Sequence, residues 1–370
     1  MKKILFIVNV DWFFVSHRLP IALAAIKQGH EVHVACGVTD KKTILESHGL
    51  VVHPLTLSRS GTGVFSEFKT LKQLFTIIKL VEPDITHSIT IKPVLYGNII
   101  SRLLRVPTRV ASISGLGYVF IASGIKAKFF RVFIALLYRS ALSDAKTVIF
   151  QNSSDRDVLK KLGAIKPEQE LFIRGSGVDL RLYPVLPEPK DNLVVMLVAR
   201  LLIDKGVYEF VKAAEIIKAQ VDNVRMVLVG STDPGNPNSV TMQKIKSWVD
   251  ADIIEYWGHS SEVATTMSKS NVIVLPSYRE GLPKVLIEAA ACGRAVVTTD
   301  VPGCRDAIEP NETGLLVDVK SASSLASGVL SLISNDNLRY KFAKNARKLA
   351  ERDFNINDVV SMHLSIYSKE

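Results

Sequence analysis

Strand-length apolar runs alternate with segments of helical period along nearly the whole chain, and this alternation restricts the fold more than any other feature. Lys3–Val10 is β-rich, Leu19–Lys27 has helical spacing, Glu31–Cys36 alternates, Val51–Leu55 is extended and Phe65–Val81 is a long amphipathic helix. Strands at Asp84–Ile89, Arg109–Ile113 and Thr147–Gln151 follow, with helices at 93–104 and 126–142 between them. Such a pattern predicts a parallel sheet covered by helices on both faces. It pauses once, at 174–192, where Pro184, Pro187 and Pro189 among glycine and charge mark an interdomain linker. It resumes at Leu193–Ala199 and runs through Arg225–Val229, Ile253–Tyr256, Val272–Leu275 and Ala295–Thr299, with helices at 207–219, 239–249, 283–291, 322–333 and 337–350. The expectation is two doubly wound α/β domains in tandem, 1–180 and 181–353, with a last helix at about 354–370 able to pack back on the first. Open α/β sheets bind ligands at the carboxyl ends of their strands, so two such sheets facing each other would enclose a cleft with loops from both.

Composition sharpens this. A chain of 370 residues suits two domains, and 47% apolar against 22% charged residues excludes disorder. No run reaches about 18 apolar residues, so no spanning helix is expected. Met1-Lys2-Lys3 has the look of a signal-peptide start, but Asp11 interrupts the apolar run and no small-residue cleavage site follows. Three cysteines, Cys36, Cys292 and Cys304, without CxxC or CxxH spacing argue against a disulfide framework or structural zinc and for a reducing, cytoplasmic compartment. The net charge of +10 is lopsided: residues 1–182 hold 25 Lys+Arg and 13 Asp+Glu, residues 183–370 hold 21 and 23. The basic half is either a seat for an anionic partner or a solvated surface.

Two groups of residues at predicted strand ends could carry chemistry. Arg200 and Lys205 bracket the loop between strand 193–199 and the helix near Val207. Two cations beside a helix N-terminus make an anion site that suits a diphosphate, or they simply flank an ordinary βα loop. Glu280 and Glu288 lie just before and within the helix after strand 272–275, where two carboxylates can accept from sugar hydroxyls, or serve as a cap and a solvated surface group. The histidines form no HxH or HxxxH set, so no protein-bound metal is expected. Lys126–Arg139 is very apolar with four cations, which fits either an interfacial helix or a core helix with a narrow wet stripe.

Taken in order, Arg200-x4-Lys205-Gly, Pro276-Ser-x-x-Glu280-Gly-x-Pro-x-x-x-x-Glu288-Ala, Gly293-x-Ala-Val-Val and Gly314-Leu-Leu-Val resemble the C-terminal half of retaining glycosyltransferases of family 4. The Glu280–Glu288 spacing matches that family's E-x7-E signature. Phe13-Phe14-x-Ser-His17-Arg18-Leu-Pro, Asp84-Ile-x-His87-Ser-x-x-Ile-Lys92-Pro, Ser114-Gly-Leu-Gly117-Tyr and Gly175-Ser-Gly177-Val-Asp179 are similar to members that build bacterial surface polysaccharides or lipid-linked oligosaccharides. One departure stands out: where many relatives have a Gly-Gly pair after the first strand, this chain has Asn9-Val-Asp-Trp-Phe-Phe.

The resemblance implies the GT-B fold, two Rossmann-like domains around a nucleotide-sugar cleft, and transfer of a hexose or N-acetylhexosamine. The donor is a nucleotide diphosphate sugar, UDP-linked by preference, and no further cofactor is required. Arg200 and Lys205 would stabilise the leaving diphosphate and Glu280 would hold donor-sugar hydroxyls, with His17 beside them. Glu288, Gly230, His259, Gly281, Leu282 and Pro283 would bind the donor, Glu288 through the ribose. Lys92, His87 and Gly117 would face an undecaprenyl-diphosphate-type glycolipid acceptor at the inner face of the membrane, where the basic half and Lys126–Arg139 would make contact. Nucleic acid is not expected, since no recognised binding module is present. A nucleotide-sugar 2-epimerase, a GDP-mannose-dependent mannosyltransferase and a non-catalytic sugar-binding protein are the competing readings. A Rossmann oxidoreductase would need a G-x-G-x-x-G after the first strand, which Asn9–Phe14 lacks.

Overall fold

The computed structural model describes residues 1–57, 63–116 and 125–368, the side chains of 64 and 125–131 excepted. The chain divides into two compact units, Met1–Ser176 with Asn357–Glu370, and Gly177–Ile356.

The first unit runs β1 (Lys3–Val10), α1 (Asp11–His17), α2 (Leu19–Lys27), β2 (Glu31–Gly37), α3 (Lys42–Ser47), β3 (Val51–Pro54), α4 (Val64–Val81), β4 (Ile85–Ile89), α5 (Ile91–Leu103), β5 (Thr108–Ile113), α6 (Ile125–Leu142), β6 (Thr147–Phe150), α7 (Ser153–Lys161) and β7 (Glu170–Phe172). Its seven strands are parallel in the order β3-β2-β1-β4-β5-β6-β7. β1 shows why both faces must be covered. Ile4, Phe6 and Val8 enter one core with Phe14 and Ile21, while Leu5 and Ile7 enter another with Leu74 and Ile78 of α4. A strand buried on both faces has no room for a polar side, which is why it is a continuous apolar run.

The second unit runs β8 (Leu193–Val198), α8 (Val207–Lys218), β9 (Val224–Val229), α9 (Met242–Asp250), β10 (Glu255–Tyr256), α10 (Val263–Ser268), β11 (Val272–Leu275), α11 (Lys284–Ala291), β12 (Ala295–Thr299), β13 (Gly314–Val317), α12 (Ala322–Ile333) and α13 (Asp336–Asp353). Its six parallel strands lie in the order β10-β9-β8-β11-β12-β13. The order reverses between β8 and β11, the switch point at which loops diverge and a ligand can enter. The last helix, α14 (Ile356–Ser368), returns to the first unit, where Val359, Ile366 and Tyr367 join the core around Phe6 and Phe14.

The proline-rich stretch is not a free linker. Glu188 pairs with Arg339 at 2.8 Å with both side chains almost fully buried, and Asn271 Nδ2 donates to Glu188 at 3.1 Å. Arg294, itself buried, donates to the Leu186 carbonyl at 2.9 Å. Proline excludes helix and ladder bonding but does not prevent docking, and here the chain is docked on the second unit. The division between units falls earlier, at Ser176 and Gly177, a few residues before the expected 180.

Candidate active site

At the carboxyl end of β8 the chain passes through Arg200 and a short turn, Ile203–Lys205, into α8. Gly206 joins turn to helix with φ +73°, and a Cβ there would stand 2.2 Å from the Pro276 carbonyl oxygen. Only glycine permits both that backbone and that approach. The loop after β11 is therefore pressed against the loop after β8. Tyr278 N–H donates to the Asp204 carbonyl at 2.9 Å, and Tyr278 hydroxyl donates to Glu209 of α8 at 2.7 Å. Across this seam Lys205 Nζ pairs with Glu280, both half-buried.

Glu280 is held from a third loop. Its N–H donates to the Pro302 carbonyl at 3.1 Å, and a Cβ on Gly303 would lie 2.5 Å from the Glu280 oxygen. Gly281 follows, then buried Leu282 and Pro283, and Pro283 caps the N-terminus of α11. Glu288 lies in the second turn of that helix, 6% exposed, where Oε1 accepts from Tyr183 hydroxyl at 2.8 Å and pairs with Lys284 at 3.0 Å.

Arg200 NH1 meets Asp233 at 3.2 Å, beyond the end of β9. The two strand ends touch at Gly230, where a Cβ would come 1.8 Å from the Ala199 oxygen. Gly230 N–H in turn donates to the Gly258 carbonyl, next to exposed His259. The structure thus places Arg200, Lys205, Gly230, His259, Glu280, Gly281, Leu282 and Pro283 in the connections that follow β8, β9, β10 and β11 of a single sheet, with Glu288 in the second turn of α11. The two cations each face a carboxylate, a matched arrangement into which an anionic diphosphate and sugar hydroxyls can exchange.

The first unit treats its expected residues less evenly. His17 is the last residue of α1, the short helix Asp11–His17 that Arg18 ends, and its ring stacks on Phe13 at 4.3 Å. Lys92, in the first turn of α5, pairs with Glu67 of α4 at 2.6 Å. His87 sits in the middle of β4, fully buried, with Nδ1 against Tyr367 hydroxyl at 2.6 Å and Nε2 against Ser112 Oγ at 2.7 Å. Burial, then His363 and Arg18, push its pKa well below the ordinary histidine value. A neutral ring with both nitrogens engaged belongs to packing, not to an acceptor surface. Gly117 lies outside the described residues.

Sequence reasoning missed Asp11, although a carboxylate inside an apolar run was a visible signal. It is completely buried and accepts from the N–H groups of Trp12, Thr39 and Lys41 and from the Thr39 hydroxyl. The first loop, which lacks the family's glycine pair, is therefore stitched to the loop after β2 by one carboxylate. Tyr183 was also missed, and nothing in its local sequence announces Glu288. In α6, Val132, Phe133 and Leu136 are exposed, whereas Arg139 donates to the Leu162 carbonyl; Lys126, Lys128 and Arg131 side chains lie outside the description. Among the described residues no helix is long and apolar enough to cross a membrane, and no three His, Cys, Asp or Glu side chains gather as metal ligands.

Comparison with known proteins follows the same division. Residues 3–152 match the family Glycosyl transferase 4-like, and residues 182–349 match Glycosyl transferases group 1. N,N'-diacetylbacillosaminyl-diphospho-undecaprenol alpha-1,3-N-acetylgalactosaminyltransferase of Campylobacter jejuni is 30% identical over 377 residues, spanning 96% of this chain and 98% of its own. The chain is a GT-B glycosyltransferase of family 4. This glycosyltransferase is also 26% identical to the capsular polysaccharide biosynthesis glycosyltransferase CapM of Staphylococcus aureus, over 92% of this chain and 91% of that one. Among solved structures, HepE of Anabaena in complex with UDP and glucose aligns over 100% of both chains with a TM-score of 0.79 at 19% identity. Sucrose-phosphate synthase of Thermosynechococcus elongatus aligns over 99% of this glycosyltransferase and 98% of its own chain, at 0.80 and 22%. At such identities these structures speak to fold alone.

Proposed function

We propose that this enzyme transfers a hexose or N-acetylhexosamine, with retention of anomeric configuration, from a UDP-sugar to a saccharide carried on a lipid diphosphate, in the building of a bacterial surface polysaccharide or oligosaccharide. The observation that carries the reading is the Lys205–Glu280 pair, set at the switch-point edge by Gly206 against Pro276, with Arg200 at the neighbouring strand end. Breaking the glycosidic bond leaves negative charge on the nucleoside diphosphate. Arg200 and Lys205 stabilise that charge, Glu280 holds donor-sugar hydroxyls, and Glu288 holds the ribose. The acceptor hydroxyl attacks from the leaving-group face and gives its proton to the departing phosphate oxygen.

Support for donor and acceptor comes from relatives. The Campylobacter enzyme acts on a diphospho-undecaprenol saccharide, and an Escherichia coli relative, 22% identical over 81% of this chain and 79% of its own, is a UDP-Gal:alpha-D-GlcNAc-diphosphoundecaprenol alpha-1,3-galactosyltransferase. On the first unit, Lys92 is assigned to the acceptor and His17 to catalysis. Exposed Phe68, Val132, Phe133 and Leu136, with the basic excess of the first half, are assigned to the cytoplasmic membrane face.

The test is transfer from labelled UDP-sugars and GDP-mannose to a synthetic undecaprenyl-diphosphate saccharide, read as label entering the organic phase, with the anomeric configuration read by NMR. UDP-dependent label with a retained α linkage supports the reading. Transfer from GDP-mannose alone, or an inverted product, overturns the donor or the stereochemistry. Cosedimentation with anionic vesicles, lost in Phe133→Asp, tests the membrane assignment, and equal recovery of both proteins overturns it.

A further inference from the structure

Tyr183 lies ahead of the prolines, half-buried, with its ring against the core beneath α11. Its hydroxyl donates to Glu288 Oε1 at 2.8 Å, and Lys284 Nζ, one helical turn before Glu288, reaches the same oxygen at 3.0 Å. Neither bond falls on Oε2. Tyr183 is fixed from behind as well. Its carbonyl accepts from Arg347 NH1 of α13 at 2.7 Å, the same nitrogen donates to the Ala291 carbonyl at the end of α11 at 2.7 Å, and Arg347 Nε pairs with Glu351 at 2.7 Å. One guanidinium thus ties the backbone of Tyr183 and the end of α11 to a single frame, so hydroxyl and carboxylate keep their register.

We propose that Tyr183 is a positioning residue for the donor nucleotide: by occupying Oε1 it orients the Glu288 carboxylate so that Oε2 is presented to the ribose hydroxyls. The inference rests on the donor reading above, in which Glu288 meets the ribose. A free carboxylate rotates about its last torsion, and a ligand that needs one orientation must first order it. Two donors on one oxygen do that ordering before the ligand arrives. Lysine alone, on a flexible stem, does it poorly. Burial, with Glu288 beside it, raises the pKa of the Tyr183 phenol, which keeps it a donor at neutral pH.

The experiment is calorimetric titration of the wild type, Tyr183→Phe, Glu288→Ala and the double variant. Each is titrated with UDP and GDP and with the 2',3'-dideoxy form of each. Phenylalanine preserves the ring and removes only the hydroxyl. Expected is an about tenfold weaker Kd of Tyr183→Phe for the ribonucleotide the wild type binds. Affinity for its dideoxy form should change by less than about twofold, and the hydroxyl should have no further effect once Glu288 is alanine. The melting midpoint should move by no more than about 2 °C. Equal losses for ribose and dideoxy forms, or no loss for either, overturn the role of Tyr183 while leaving the donor reading standing. A wild type that binds neither UDP nor GDP overturns the donor reading and this inference with it.

Discussion

Lys205 and Glu280, 75 residues apart in the chain, meet as an ion pair where the loops after β8 and β11 are in contact, and the residue following the lysine has no room for a side chain. The pair joins a cation suited to phosphate and a carboxylate suited to sugar hydroxyls, with Arg200 held nearby by Asp233.

Replacing Arg200 or Lys205 by alanine should therefore cut turnover by about 10²- to 10³-fold, the usual loss when one electrostatic donor to a developing anion is removed. Arg200 is exposed, so its variant should melt close to wild type; Lys205 is half-buried against Glu280, so Lys205→Ala, which strands that carboxylate, should melt lower while keeping the wild-type circular dichroism. Turnover within a few-fold of wild type in either variant would remove it from the leaving-group role.

Gly206→Ala tests the seam itself. A methyl group meets the Pro276 oxygen at 2.2 Å and must adopt φ +73°, so the loops have to part. Urea denaturation should show a loss of about 2–4 kcal/mol, and activity should fall even where the variant remains folded. Unchanged stability would mean the close approach is not maintained in solution.

Asp11 fastens the start of α1 to the loop after β2. Asp11→Ala strips an acceptor from three backbone N–H groups and one hydroxyl in a fully buried place, which should cost about 2–4 kcal/mol. Asp11→Asn, of the same shape, should recover part of it. Equal midpoints for Ala and wild type in chemical denaturation would show that the bonds carry no net stability.

Acid should loosen the first unit through its buried imidazoles. His363 faces Arg18 and His87, and burial, then Arg18, lower its pKa from 6.5 to about 3. Between those values the unfolded chain binds a proton that the folded chain refuses, so stability is intact above about pH 6.5 and falls as pH drops toward 3. At pH 5 this one group should account for about 2 kcal/mol. His363→Met should flatten the dependence of the melting midpoint on pH between 7.5 and 5; a variant with the wild-type slope would refute the assignment.

Particular residues show what the sequence makes readable. Lys3–Val10 and Leu19–Lys27 are legible because a strand buried on both faces and a helix with one apolar stripe leave different periodicities. Arg200, Lys205 and Glu280 stand in the loops after β8 and β11 and Glu288 in α11, where local chain geometry puts them. Spacing alone left an ordinary βα loop and a capping carboxylate open, and their assignment to a nucleotide sugar comes from the resemblance. His87 was misplaced because its surroundings are supplied by Tyr367, 280 residues away, and a strand-like stretch does not say which of its polar residues a distant helix will cover. Tyr183 failed for the same reason at a separation of 105 residues. Asp11 left a trace, a charge in an apolar run, but its partners on the next loop left none.

The docked proline segment has a practical reach in dissecting this chain. A fragment of the second unit begun at the prolines' far side, at Lys190, would leave behind Glu188, Leu186 and Tyr183. The buried guanidiniums of Arg339 and Arg294 would lose acceptors they hold at 2.8 and 2.9 Å, and Glu288 would lose its phenol. Arg339 keeps Asp336 and Arg294 keeps the Ser268 carbonyl, yet each buried acceptor lost costs about 1–3 kcal/mol, a large share of a domain's stability. The division at Gly177 keeps these partners together, so the stretch that looks most expendable in the sequence is the N-terminal hem of the second unit.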